Sequence, residues 1–283
     1  MLPVDSLLLF ASTGALVGFI AGLVGIGGGL VMVPILLGMF LQSGLPLAAA
    51  LPLATGTSLA AIVSTAALSA NAHRRNGAFD VPLLRRLLLP VTFGAVCGPI
   101  LALYVSAKAI HLAMAALFAL IAVSLVRNAL RASTCESGAA WHRTLPARAR
   151  DKVTSLASLS VGAFAGIAGI GGNTLMVPLL ARVVGVPFKT AIGVSAGLAV
   201  PLSLAGAIGY GCREPHDALS FIGAPTIGSI HVTACVGLAL GSACTVRIGA
   251  AIARKIDTRW LQRAFALVLA VTAAKLVHAL GAA

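Results

Sequence analysis

The strongest constraint on the fold is a series of long apolar stretches, most of them about as long as a bilayer is thick. A helix needs roughly 20 apolar residues to cross the hydrocarbon core. Hydrophobic residues make up 59% of the chain and charged residues only 10%, which leaves too little polar surface to cover a water-soluble core. The sequence therefore predicts an all-α polytopic membrane protein. The apolar stretches lie at 6–41, 50–71, 83–105, 108–129, 153–184, 190–210, 219–245 and 260–280.

The first and fifth stretches are longer than the others, and glycines interrupt both of them. Residues 18–37 read GFIAGLVGIGGGLVMVPILL and residues 162–181 read GAFAGIAGIGGNTLMVPLLA, with 11 of 20 positions identical at an offset of 144 residues. A shorter match follows, ATGTS at 54–58 with AIGVS at 191–195. We therefore predict two repeats, each a glycine-broken helical hairpin followed by three transmembrane helices. The predicted segments are a first repeat at 1–130 with its hairpin at 6–41, a basic cytoplasmic linker at 131–152, and a second repeat at 153–283 with its hairpin at 153–184.

The distribution of Lys and Arg predicts how the repeats face. Residues 74–86 hold four basic residues, whereas the equivalent loop of the second repeat, near 211–218, holds only Arg213 beside two acidic residues. If each broken segment enters and returns as a hairpin, 17 of the 20 Lys and Arg lie on one side, which the positive-inside rule identifies as cytoplasmic. The repeats are thus predicted to be inverted, with both termini outside a bacterial cytoplasmic membrane. Because no Lys or Arg precedes the first apolar run, we expect no cleaved signal peptide.

The glycine breaks are the predicted binding site. GIGGG is a poor helix former, and Pro34 and Pro178 suit the first turn of a restarting helix, so the chain should unwind at 25–29 and 169–173 and restart near Val33 and Val177. Helix N-termini attract anions, and no Asp or Glu lies deep in a predicted span. Alternatively, the glycines only allow close helix packing and the hydroxyls bond their own helices. The predicted substrate-binding residues are Gly25, Gly27, Gly28, Gly29, Thr57, Ser58, Gly169, Gly171, Gly172, Asn173, Thr174 and Ser195.

His231 is the titratable side chain near the middle of the predicted span at 219–245. An intramembrane histidine is a candidate for proton coupling, and the alternative is a neutral packing residue. The net charge of +13 is accounted for by the cytoplasmic loops, so we expect the lipid bilayer and a small anion as partners, and no nucleic acid. The five cysteines have no metal-ligand spacing, and we expect no metal and no cofactor.

Three functional classes remain to be compared. A duplicated and inverted plan with broken helices is typical of alternating-access transporters, and a passive anion channel is the alternative. An intramembrane enzyme would need a catalytic set such as HExxH or GxSxG beside a histidine, and the sequence contains neither. We therefore expect a transporter and not an enzyme.

The duplicated element AGxxGIGGGxxxVPxL, the A-x-G-x-S that follows it and the basic loop HRRNG at 73–77 resemble the sulfite exporter TauE/SafE family over nearly the whole chain. The resemblance implies a secondary transporter that exports sulfite, an organosulfonate or a related sulfur-containing anion. Its motif positions match Gly25, Gly27, Gly28, Gly29 and Pro34 in the first repeat, and Gly169, Gly171, Gly172 and Pro178 in the second. Asn173 stands where the first repeat has Gly29, which raises the prospect of an asymmetric site.

Overall fold

The computed structural model describes residues 4–24, 28–75, 77, 79–130, 147–214, 225–256, 260, 267 and 270–271. Within these ranges the chain forms nine α-helices and one short β-hairpin of two-residue strands. The helices are α1 (Val4–Val24), α2 (Gly29–Gln42), α3 (Leu47–Arg75), α4 (Val81–Leu101), α5 (Ala107–Leu130), α6 (Ala147–Ala168), α7 (Asn173–Leu179), α8 (Phe188–Gly211) and α9 (Val232–Lys255); the strands are β1 (Thr226–Ile227) and β2 (Ile230–His231).

The surface of the helical bundle is apolar where a water-soluble protein would be charged. Among the described residues, four helices are long and apolar enough, by length and composition, to cross a membrane: α3, α4, α8 and residues Val232–Ile252 of α9. On α4, the side chains of Leu89 and Phe93 are 78% and 64% exposed. Apolar patches of this kind are stable only when lipid or another protein covers them. The fold is therefore that of a helical membrane protein, as the composition predicts.

Close helix pairs join the two halves of the chain. Helix α1 runs parallel to α9, and α4 runs parallel to α6. Glycines spaced four residues apart allow these backbones to approach. A Cβ atom added to Gly14 would lie 2.7 Å from the Cα atom of Leu238, and one added to Gly94 would lie 2.8 Å from the amide nitrogen of Ala163. Small residues at this spacing are a common device for packing helices inside membranes.

Helices α3 and α8 cross at the centre of the bundle. They are antiparallel, because Gly56 lies against Tyr210 while Leu59, further along α3, lies against Gly206, which precedes Tyr210 on α8. Many residues of both helices are buried, including several that carry hydroxyl groups. One of these, Thr65 of α3, shares a hydrogen bond of 2.7 Å with Ser242 of α9. Helix α3 therefore contacts the second half of the chain along most of its length.

The helices after the breaks begin earlier than predicted. They start at Gly29 and Asn173, so the prediction of a restart near Val33 and Val177, with Pro34 and Pro178 in the first turn, is wrong. Each proline is instead the sixth residue of its helix, where its ring removes one backbone hydrogen bond. In the second copy, α7 continues as a π-helical turn at Leu180–Val184, directly after this weakened position.

Two other boundaries differ from the sequence prediction. Helix α6 begins at Ala147, which lies inside the predicted linker at 131–152. Residues 131–146 lie outside the described ranges. Within the predicted span at 219–245, α9 starts only at Val232, after the β1–β2 hairpin; residues 219–224 lie outside the described ranges. Gly228 in the hairpin turn has a φ of +55° and packs against the end of α8. Most of the last predicted helix, at 260–280, is outside the described residues.

Candidate functional site

The two glycine breaks have the same backbone geometry where both are described. Gly28 and Gly172, which are equivalent at the 144-residue offset, are the N-cap residues of α2 and α7 with φ of +85° and +75°. Only glycine adopts this left-handed region without strain. A glycine N-cap has no side chain with which to bond the amides of the first helical turn. Both breaks therefore direct helix N-termini, with their partial positive charge, into the interior of the protein.

The two breaks meet each other. Gly29, the first residue of α2, packs directly on the second break, since a Cβ atom added there would lie 2.7 Å from the carbonyl carbon of Ile170. The side chain of Ile62 on α3 lies between them and contacts both Gly29 and Gly171. Gly28, Gly29 and the whole segment 169–174 are buried. The structure thus brings together the breaks of both halves beside the middle of α3. Gly25 and Gly27 lie outside the described residues.

The predicted hydroxyl residues have different positions, and one of them links α3 directly to the second break. Ser58 donates a hydrogen bond to the carbonyl oxygen of Gly169 at 3.0 Å. Thr57 accepts one at 2.9 Å from the backbone N–H of His231. Thr174 is buried as the second residue of α7, and its hydroxyl has no partner among the described residues. Ser195 instead donates to the carbonyl of Ile192 in its own helix, as the packing alternative expected.

Asn173, which replaces the glycine of the first copy, is the first residue of α7 and is fully buried. The equivalent Gly29 packs so closely on Ile170 that a side chain there would collide with backbone. The two breaks consequently differ at the first helical residue. An amide on one side and bare backbone on the other give the region an asymmetric chemistry.

His231 lies at the start of a helix and not in the middle of a span. It is the N-cap of α9, and its Nδ1 accepts a hydrogen bond from the N–H of Ala234 at 3.1 Å. The ring is fully buried, stacked on Phe40 of α2 at 5.7 Å and tilted against Phe10 of α1 at 5.8 Å. Because Nδ1 accepts, a neutral ring carries its proton on Nε2, which has no partner among the described groups.

Two residues complete the region without a signal in the sequence that singles them out. Ile62 contacts both breaks, but an isoleucine within an apolar stretch carries no signal that distinguishes it from lipid-facing neighbours. Tyr210, at the end of α8, donates a hydrogen bond at 3.1 Å to the carbonyl of Ile167, two residues before the second break. A tyrosine at the end of an apolar stretch is usually an interfacial residue, so the sequence gives no indication that Tyr210 is buried.

Discontinuous helices that meet inside an apolar bundle define this chain as a multi-pass membrane protein of the transporter class. The family model described as Sulfite exporter TauE/SafE matches residues 10–276. The chain belongs to this family. It is also 31% identical, over 94% of its own length and 96% of the relative's, to a protein of Haemophilus influenzae described as a probable membrane transporter protein. No solved structure matches the chain.

Proposed function

We propose that the protein is a secondary transporter that exports a small anion, sulfite or an organosulfonate or a related sulfur-containing anion, across the bacterial cytoplasmic membrane by alternating access. The observation that carries the proposal is the direct contact between the two breaks, Gly29 on Ile170. Two helix N-termini that meet between the halves form a site that a relative movement of the halves can open. The family supports transport, and sulfite is the substrate class in its description.

The packing supports an inverted arrangement of the repeats. Equivalent helices of inverted repeats run antiparallel, and α3 and α8, which carry the matched ATGTS and AIGVS segments, do so. The repeat also relates α1 to α6 and α9 to α4, so the parallel pair α1–α9 of one contact corresponds to the parallel pair α6–α4 of the other. With the charge distribution, this arrangement supports a cytoplasmic linker and termini on the outside.

In the proposed site, backbone amides and hydroxyls bind the anion. The first-turn amides of α2 and the buried residues Asn173 and Thr174 lie at the two helix starts. Ser58 lies beside them, but it donates its hydroxyl hydrogen to the carbonyl of Gly169, so it can donate to an anion only when that bond opens. Hydrogen-bond donors at a helix N-terminus favour an anion without a fully charged ligand. In the described conformation the breaks pack on each other, so access requires Gly29 and Ile170 to separate.

His231 is the proposed proton-coupling residue. A second proton could bind only at Nδ1, where it would eliminate the hydrogen bond from Ala234 and place a positive charge at the N-terminus of α9. Protonation would therefore release the ring from the helix and loosen its stack on Phe40 and Phe10. Since these aromatic residues belong to the first hairpin, the charge on His231 would influence how that hairpin packs against α9.

Uptake into proteoliposomes tests the proposal. The purified protein would be reconstituted and supplied with sulfite, sulfate, thiosulfate and sulfonates, with and without a pH gradient. We expect saturable flux of a sulfur oxyanion that responds to the gradient. Flux that does not saturate and follows voltage alone would favour the passive anion channel, and an enzyme would release product without moving the anion. No flux of any of these anions would contradict the proposal.

A further inference from the structure

A cavity lies next to the second break, on the face of the bundle where α3 begins and α4 and α8 end. Its volume is about 160 Å³, which is room for about five water molecules or for a small oxyanion with part of its hydration shell. Most of the residues that line it are of apolar type, and polar groups are exposed between them. The residues that matter to its chemistry are Leu51, Thr55, Ile110, Ile167, Tyr210 and Arg213.

Arg213 is the cationic side chain in the cavity wall. It follows the C-terminal end of α8 and is half-buried, and it forms no ion pair with a carboxylate in the described part of the chain. Thr55 and Tyr210 both donate their hydroxyl hydrogens elsewhere, to the carbonyls of Leu51 and Ile167. The guanidinium is therefore the strongest hydrogen-bond donor available to a ligand, and its flat fork suits the oxygens of an oxyanion.

Arg213 lies on the side of the membrane that carries few Lys and Arg under the proposed topology. Under the proposed topology, Arg213 is one of only three Lys and Arg on the outer side, with Lys108 and Lys275. The positive-inside rule does not require a cation there. A cation that lines a small cavity on the side poor in positive charge can attract an anion into that cavity.

A single layer of side chains separates the cavity from the second break. Thr55 lines the cavity and also packs on Gly169, where an added Cβ atom would lie 2.7 Å from its Cγ2. Ile167 lines the cavity two residues before that glycine, and the hydroxyl of Tyr210 holds its carbonyl. Movement of α6 or α8 at this layer would connect the cavity with the break.

We propose that this cavity is a second anion-binding site, a vestibule in which Arg213 binds the transported oxyanion on one side of the membrane before it reaches, or after it leaves, the glycine breaks. The inference rests on the proposed function, because it assigns the vestibule the same substrate. The ligand is a small oxyanion with at least two oxygens able to accept from one guanidinium.

Sidedness tests the vestibule. Exchange of external for internal sulfite would be measured in right-side-out and inside-out vesicles that contain the full-length protein or its Arg213→Gln variant. We expect Arg213→Gln to raise KM for sulfite at least about tenfold from one side only, with kcat nearly unchanged, because one charged hydrogen-bond donor is lost. Arg213→Lys should recover part of the affinity, since it keeps the charge without the fork.

Lys108→Gln is the matched control, because Lys108 is exposed beside the cavity residue Ala107 but does not line the cavity. Its KM should remain within about twofold of the wild type, as for an exposed charge. An unchanged KM for Arg213→Gln, an equal increase from both sides, or a fall in kcat alone would overturn the vestibule while the proposed function stands. If the wild type exchanges no sulfite, sulfonate or other oxyanion, the proposed function itself fails.

Discussion

At the scale of single residues, the sequence predicted which glycines form the breaks, but it did not predict the physical reason for each glycine. The repeat in the sequence identified Gly28 and Gly172, and both adopt the left-handed conformation that glycine permits. Gly29 differs from them, because it has no positive φ and is required by the close approach of Ile170. That contact joins residues about half the chain apart, so no local pattern could reveal it.

Gly29→Ala should abolish most of the transport. The added Cβ atom would lie 2.7 Å from the carbonyl carbon of Ile170 and 2.5 Å from Cδ1 of Ile62, and the isoleucine side chain can yield more easily than the backbone. An overpacked contact of this kind costs about 1–3 kcal/mol, enough to lower the initial rate of sulfite flux by a factor of about five to more than a hundred. Flux per reconstituted protein molecule is the measurement.

Gly38→Ala is the matched control for this substitution. Gly38 lies in the same helix, with no atom within 4 Å of its added Cβ, and alanine favours the helix. We expect Gly38→Ala to transport as the wild type does. Full activity in Gly29→Ala would show that transport does not depend on the contact between the breaks. Full activity in Gly28→Val or Gly172→Val would contradict the assignment of the breaks as the binding site.

His231→Asn and His231→Ala separate the cap of α9 from the titration of the ring. Asparagine can cap a helix but does not titrate, whereas alanine does neither, and loss of an N-cap costs about 1 kcal/mol. Both lose the stack on Phe40. If protonation of His231 drives coupling, His231→Asn should transport with a flat pH profile between about pH 5 and 8, the range in which histidine titrates. A wild-type pH profile in this variant would reduce His231 to a packing residue.

At the scale of elements, composition predicted most helices and failed where the chain is polar or bends inside apolar sequence. Helices α3, α4, α5 and α8 lie within a few residues of their apolar stretches. The start of α9 was missed, because PTIGSIH at 225–231 is apolar enough to continue a span, whereas its residues form the hairpin with Gly228 in the turn. The early starts of α2 and α7 were missed because the left-handed glycine, and not the proline, sets the first turn.

The parallel helix pairs between the halves lead to a prediction about folding. Gly241 of α9 packs on α1, where an added Cβ atom would lie 2.8 Å from the amide nitrogen of Ala15, and Gly94 of α4 packs similarly on α6. Gly241→Val and Gly94→Val should each lower the yield of monodisperse protein in detergent and its apparent Tm, because both helix backbones would have to separate. Gly38→Val, in open space, should change neither. Unaltered stability in the first two variants would contradict the described packing.

At the scale of the whole molecule, the hydropathy and the duplicated motif were enough to predict the membrane class and the family. The geometry of the candidate site was predicted only in part, since the meeting of two distant breaks, the position of His231 and the cavity near Arg213 all depend on how distant helices pack. The way in which two helices cross depends on packing between side chains that are far apart in the chain. Local patterns in a single sequence do not reveal such contacts.

Topology provides a prediction at this scale. Cys212, exposed at the end of α8, should react with a membrane-impermeant maleimide in intact cells when it is the only cysteine retained. Cys135, in the predicted cytoplasmic linker, should react only after the membrane is permeabilised. The opposite labelling would reverse the proposed orientation, and labelling of both in intact cells would contradict the inverted arrangement.

Counterflow is the most direct test of alternating access at the two breaks. Proteoliposomes loaded with unlabelled sulfite would be diluted into a trace of radiolabelled sulfite, with the membrane potential and pH gradient collapsed. A carrier exchanges one anion for another, so we expect a transient accumulation of label above its external concentration, lost in Gly29→Ala and retained in Gly38→Ala. Label that only equilibrates, at a rate proportional to its concentration, would contradict the account and identify a channel.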